Sequence, residues 1–200
     1  MSRWSSPPNR SLRVRLFFAV ELHESLRVAL DHAIAPLRAT EPELAWVHVE
    51  KLHLTMKFLG DVDERDAQRL VGAADAVARR HRPFEMTLGG VGAFPNFRRA
   101  RVVWIGVESD PRLELLHHDL EMACEEAGFE VEGRPFRPHI TLARVRSPLS
   151  LDRARPFARA ARRVAYAASE QVQALGLLES TMGSGASHYR RVHAASLGGA

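Results

Sequence analysis

The chain has 200 residues, 46% of them apolar, with 28 lysine and arginine against 24 aspartate and glutamate, a formal charge of +4 and one cysteine. That is enough apolar chain to bury one core or two small fused lobes. A lone cysteine excludes an intramolecular disulfide and a thiolate metal cluster, and it fits a reducing cytoplasm. The early apolar run Leu16 to Val20 is far short of the about 20 residues that cross a bilayer and has no small-residue cleavage site after it, so neither a membrane span nor a secretory signal is read. Lys51 and Lys57 are the only lysines. Arginine suits phosphate because its planar fork donates two parallel hydrogen bonds, but a GC-rich coding sequence also inflates arginine, so the charge permits a polyanionic substrate without requiring one.

Residues 1–12 read as a disordered tail and the fold begins near Arg13. Val14 to Val20 suits a buried strand. Leu22, Leu26, Leu30, Ala33 and Leu37 then recur at helical spacing until Pro42. Leu52 to Leu59 alternates as a strand, Gly60-Asp61 predicts a turn, and Ala67, Leu70, Val71, Ala74, Val77 and Ala78 mark an amphipathic helix. Phe84, Met86 and Leu88 alternate up to a break at Gly89-Gly90, and Arg101 to Val107 is a strand covered on both faces. Ser109 or Asp110 caps the next helix with Pro111 at its first position; Leu113, Leu116, Leu120, Ala123 and Ala127 form its stripe and Gly128 ends it. Phe136 to Val145, Val172 to Leu178 and His188 to Ala194 complete the expected strands. The order is no regular βαβα series, so the pattern predicts an α+β fold with mainly antiparallel sheets.

One small feature occurs twice: His53-Leu54-Thr55 and His139-Ile140-Thr141, 86 residues apart, each in a predicted strand with a strand and helix before it. Alternation places His53, Thr55 and Lys57 on one face and Leu52, Leu54, Met56 and Phe58 in the core, with His139 and Thr141 opposed to Ile140 and Leu142. Hydrolysis of a cyclic phosphodiester needs a base to deprotonate water and an acid to protonate the departing sugar oxygen. Histidine serves as either near neutral pH, and each such transfer is worth ~10²–10⁴ in rate. Two threonine hydroxyls on the same faces can hold the phosphate's non-bridging oxygens. A single His-x-Thr is more often structural than catalytic; two in matching contexts reverse that reading. The other eight histidines lack this pattern and are read as surface or satisfied structural residues.

With these motifs the chain resembles the two-histidine phosphoesterases, and within them the RNA 2',3'-cyclic phosphodiesterases, also called 2'-5' RNA ligases. The likeness runs through Arg15-Leu16-Phe17-Phe18-Ala19-Val20, His53-Leu54-Thr55-Met56-Lys57-Phe58-Leu59-Gly60, Gly92-Ala93-Phe94-Pro95 and Val102-Val103-Trp104-Ile105-Gly106-Val107. It continues in Pro138-His139-Ile140-Thr141-Leu142-Ala143-Arg144, Glu179-Ser180 and Tyr189. It implies a single bilobal, pseudo-symmetric domain over residues 13–200, with two mainly antiparallel sheets facing a central cleft and helices outside. It also implies hydrolysis of RNA 2',3'-cyclic phosphate ends to 2'-phosphates, with 2'-5' ligation as the reverse reaction. His53 is then the proton donor and His139 the proton acceptor. Two departures stand out: Ala143 occupies the place matching Lys57, and the segment from Ser180 to His188 differs from the family's usual loop.

Further residues carry weaker expectations. Arg144 lies opposite Thr141 in a regular strand, so phosphate contact requires a bulge or twist there. Phe94, in a loop broken by glycine and proline, is a candidate for stacking on a nucleobase, with core packing as the alternative. Arg98, Arg99 and Arg101 form a basic patch beside it, suited to RNA backbone or simply to solvent. No His-Glu-x-x-His cluster and no Gly-Lys-Ser/Thr loop is present, so no metal or cofactor is expected. A monomer is expected, with RNA as substrate. Two alternatives remain open: a non-catalytic module binding RNA ends or nucleotides, and a phosphodiesterase of small cyclic nucleotides.

Overall fold

The computed structural model describes residues 13–182 and 187–198, so the tail expected at 1–12 and residues 183–186 of the expected loop lie outside the described residues. The strands are β1 (Arg13–Glu21), β2 (Ala45–Trp46), β3 (His53–Asp63), β4 (Phe84–Phe94), β5 (Val102–Val107), β6 (His139–Arg144), β7 (Ala167–Val172), β8 (Ala174–Met182) and β9 (Ser187–Ser196). The helices are α1 (Glu24–Ala33), α2 (Ala35–Thr40), α3 (Glu64–Ala78), α4 (Pro111–Glu126) and α5 (Leu151–Arg162). All strand pairs are antiparallel, in the order β7-β4-β5-β6-β3-β1-β8-β9, with β2 added beside β6.

The resemblance implied two sheets, and the structure joins them into one through a single bridge between Leu54 and Ile140. One lobe holds β3, β1, β8 and β9, the other β7, β4, β5 and β6. Their two motif strands meet at that bridge and pair nowhere else. The chain crosses between lobes four times: β2 joins the second lobe before β3 returns to the first, β4 to β7 then build the second, and β8 and β9 return to cover β1. Leu54, Ile140, Phe18, Ile105 and Leu142 lie almost fully buried beneath the junction. Each such side chain removed from water contributes about 1.5–3 kcal/mol.

Local signals acted largely as expected. The Asp110 carboxylate caps α4 by accepting from the Arg112 N–H at 2.7 Å, with Pro111 in the first turn and Gly128 following at φ +93°. The long first helix breaks at Ile34, because Pro36 lacks an N–H and its ring clashes with the preceding turn. Gly60 does not end β3 in a turn, nor does Gly89-Gly90 break β4. Gly60 and Gly90 take φ +72° and +69° inside their strands, beside register shifts. Only glycine adopts that conformation without strain, so each allows a bulge where the pattern suggested a stop.

Three elements escape the sequence pattern: the two-residue β2, β7 and α5. β7 is a short edge strand of mixed polarity. In α5, Ala154, Phe157, Ala158 and Ala161 follow helical spacing and are buried, but Pro156 and a run of arginines obscure that stripe. Cys124 is buried in α4, and burial pushes its thiol up to about 12, which leaves it unreactive near neutral pH. Among the described residues no helix is long and apolar enough to cross a membrane.

Candidate active site

Both motif strands carry a bulge immediately after the threonine. In β3 the partners of β1 skip Met56, and in β6 the partners of β5 skip Leu142. An extra residue reverses the facing of everything beyond it. Met56 and Lys57 are therefore both buried and Phe58 turns outward; in the same way Leu142 and Ala143 are buried and Arg144 turns outward. This corrects the placement of Lys57 beside His53 and of Phe58 in the core: Lys57 is 3% exposed and Phe58 60% exposed. The same device supplies the bulge that Arg144 required. The repeat is thus longer than His-x-Thr, with Phe58 and Arg144 as its matching third members.

A cleft of about 300 Å³ opens at the junction of the lobes. His53, Thr55 and Phe58 reach it from β3, Thr141 and Arg144 from β6, and Tyr189 from β9. Arg15, Lys51 and Ser180 add polar groups to its wall. Continuing the register of the Leu54–Ile140 bridge one residue each way sets His53 opposite Thr141 and Thr55 opposite His139. The two histidines thus lie diagonally across the bridge on one face of the sheet.

Each imidazole is held in the same way. His53 Nδ1 lies 2.7 Å from the Lys51 carbonyl and His139 Nδ1 lies 2.6 Å from the Arg137 carbonyl. A carbonyl can only accept, so both Nδ1 atoms carry their hydrogen and in the neutral ring each Nε2 keeps its lone pair. His53 Nε2 lies 3.1 Å from Thr55 Oγ1. Burial holds His53 below the usual imidazole range; the Lys51 carbonyl and the Glu21 carboxylate oppose that, and the charges of Arg144 and His139 reinforce it.

Aromatic rings brace both histidines. Phe17 and the edge-on Tyr189 lie with ring centres 5.0 and 5.4 Å from His53. Phe94, edge-on, and Trp104 lie 4.9 and 6.4 Å from His139. Phe94 is the last residue of β4 rather than part of a loop, and its ring meets Trp104 at 5.0 Å. Phe17, Trp104 and Tyr189 were visible as parts of the family pattern, but nothing in their local spacing assigned them to the histidines. Gly92 has a concrete reason: a Cβ there would stand 2.2 Å from the Trp104 ring. Gly92→Ala is expected to cost about 1–3 kcal/mol by overpacking and to lower activity by shifting the rings behind His139; thermal unfolding and steady-state kinetics measure the two effects.

Of the remaining predicted residues, Arg98, Arg99 and Arg101 are exposed beyond β4 and do not line this cleft. The histidines read as structural include His81 and His193, which lie 2.9 Å from Asp119 and 2.7 Å from Asp75.

Two fused lobes, each bringing one His-x-Thr strand to a shared cleft, define a two-histidine phosphoesterase architecture. Residues 25–183 match the family model described as the 2'-5' RNA ligase superfamily, and the chain belongs to that family. It is 37% identical over 142 residues to the RNA 2',3'-cyclic phosphodiesterase of Methanothermobacter thermautotrophicus, covering 71% of this chain and 77% of that protein. The crystal structure of TT0787 of Thermus thermophilus superimposes with a TM-score of 0.75 at 29% identity, covering 92% of this chain and 98% of that one. Escherichia coli LigT complexed with 3'-AMP does so at 0.70 and 28%, covering 93% and 99%.

Proposed function

We propose that this protein hydrolyses 2',3'-cyclic phosphates at RNA ends, leaving a 2'-phosphate. Water attacks phosphorus and gives its proton to His139 Nε2, the bond from phosphorus to the 3' oxygen breaks, and His53 Nε2 protonates that oxygen. Thr55 and Thr141 donate hydrogen bonds to the non-bridging oxygens, and Arg144 offsets their charge. The observation that carries this reading is the matched anchoring of the two imidazoles through Nδ1, which leaves both Nε2 atoms as the nitrogens for proton transfer, His53 Nε2 beside the Thr55 hydroxyl. The curated relative's name and the 3'-AMP complex of the E. coli neighbour support the substrate class. We read the protein as a monomer acting in the cytoplasm.

The test is hydrolysis of a nucleoside 2',3'-cyclic phosphate and of a short RNA with the same end, in excess chelator. Turnover of both to 2'-phosphates is expected. A requirement for added metal, or a stable wild type that only binds these ends, rejects the mechanism. Faster turnover of the nucleotide than of the RNA favours the small cyclic nucleotide reading.

The pH profile tests whether His53 takes part. kcat/KM reports the free enzyme. Burial favours the neutral form of His53. The lower of the two apparent pKa values in kcat/KM is therefore expected below the ordinary value of about 6.5. Arg144→Gln removes one charge that disfavours protonation and moves this value upward. A profile that ignores Arg144 removes His53 from the ionisations that control turnover.

A further inference from the structure

Outside the cleft, the basic patch seen beside Phe94 has a partner that the linear sequence concealed. The Asn96 side chain accepts from the N–H groups of Arg98 and Arg99 at 3.0 and 3.2 Å, fixing a tight turn at Phe97–Arg99. α5 packs on that turn, with Phe157 meeting Phe97 edge-on at 5.9 Å. Between them runs an open groove of about 630 Å³ lined by Arg98, Arg155, Arg159 and Arg162, with no carboxylate on its wall. Residues 155, 159 and 162 follow helical spacing, so their side chains share one face of α5.

Other arginines are paired: Arg153, two residues before the stripe, binds Glu41, Arg38 binds Asp31, Arg190 binds Glu179 and Arg191 binds Glu21. Among the described residues none of the four groove guanidinium groups has an ion-pair or hydrogen-bond partner, and all four residues are exposed. Like charges one helical turn apart destabilise a helix by a few tenths of a kcal/mol. A set placed this way on a wall without acids suits a ligand carrying several regularly spaced negative charges.

The groove also connects to the cleft. The Arg101 N–H donates to the Phe94 carbonyl at 2.8 Å, and the Val145 N–H donates to the Arg101 carbonyl at 2.9 Å. Val102 pairs with both Phe94 and Arg144, so Arg144 and Phe94 lie two strands apart at one end of the sheet, about 10 Å at ordinary strand spacing, with Arg101 just before β5 between them. Asn96 follows Phe94 by two residues, at most about 7 Å of chain. Exposed arginines thus lead from the wall of the cleft, round the end of the sheet, to α5.

We infer that this groove is a binding track for the sugar-phosphate backbone of single-stranded RNA, and that it holds the strand whose 3' end occupies the cleft. The inference rests on the reading under Proposed function. Guanidinium forks bind phosphodiesters independently of base sequence, so the groove gives preference for an oligonucleotide over a nucleotide without selecting which RNA.

The test is Arg155→Gln/Arg159→Gln/Arg162→Gln, which keeps long side chains suited to a helix and leaves the cleft untouched. kcat/KM on the nucleoside 2',3'-cyclic phosphate is expected to stay at the wild-type value. On an oligonucleotide of about ten residues with the same end, KM is expected to rise at least tenfold with kcat unchanged. Plotted against log salt, the slope of log(1/KM) is expected to become shallower by about 2, since each lost phosphate contact on a single strand contributes about 0.7. Wild-type KM and salt slope in the triple variant overturn the inference, as does an equal loss on both substrates. A wild type that turns over neither substrate rejects the catalytic reading instead. In that case fluorescence anisotropy of the labelled oligonucleotide still tests the groove, and equal affinity of wild type and variant overturns it.

Discussion

His53→Ala and His139→Ala are each expected to lower kcat on a 2',3'-cyclic phosphate end by about 10²–10⁴, the usual worth of one positioned proton transfer. The double variant is expected to fall little further than the worse single one, because a donor and acceptor serving one displacement act as a unit. KM is expected to change much less, since Thr55, Thr141 and Arg144 remain to hold the phosphate. Both rings are half-buried and, among the described residues, neither holds an ion pair, so the variants should fold; circular dichroism and equal thermal midpoints check this. Near wild-type turnover in either variant would remove that histidine from the chemistry.

Lys57→Met is expected to destabilise the protein by about 3–5 kcal/mol, the typical result of removing one member of a buried ion pair. The Lys57 ammonium lies 2.6 Å from the Glu121 carboxylate and 2.8 Å from the Glu130 carbonyl, and both side chains are almost inaccessible. The same Glu121 oxygen accepts from the Glu132 N–H at 3.0 Å. Without the lysine, a charged carboxylate is left buried with one backbone donor and the His117 ring at 3.7 Å. Lys57→Met/Glu121→Leu is expected to recover most of the loss, because replacing both partners removes the desolvation of two charges. Urea unfolding of wild type and the two variants gives the comparison. The double variant is further expected to keep less activity than stability, because this pair tethers residues 130–132, which lead into the His139 strand.

The parts of the site legible in the sequence were those carried by repetition. His53, Thr55, His139 and Thr141 are where alternation places them, since each motif is regular up to its threonine. One residue later the rule of two fails in both strands at the same point. Nothing local distinguishes a bulged Met56 from a regular one, and a lysine reads as solvent-facing unless its partner is known. That partner lies 64 residues away in α4. The failure therefore reversed Lys57 and Phe58, yet it also explains Arg144, which regular geometry would have turned away from the phosphate. Helix ends were readable where a side chain caps its own backbone, as at Asp110. α5 was not, because its alanine-rich stripe is broken by proline and surrounded by arginine. The arginine track was half visible for the same reason: Arg98 could be seen beside Phe94, but the residues facing it belong to a helix the pattern conceals.

The return of β8 and β9 to the first lobe has a consequence for synthesis on the ribosome. β1 carries the apolar run Leu16-Phe17-Phe18-Ala19-Val20, and its second edge is covered only by residues 174–182. Domains emerge N-terminus first at about 5–20 residues per second, so that edge waits many seconds for its neighbour. A nascent or truncated chain ending before β8 exposes an unpaired hydrophobic strand, which is a template for aggregation. It also lacks Ser180 and Tyr189 from the cleft wall. A chain cut there is a substrate for chaperones and proteases, not a smaller phosphodiesterase.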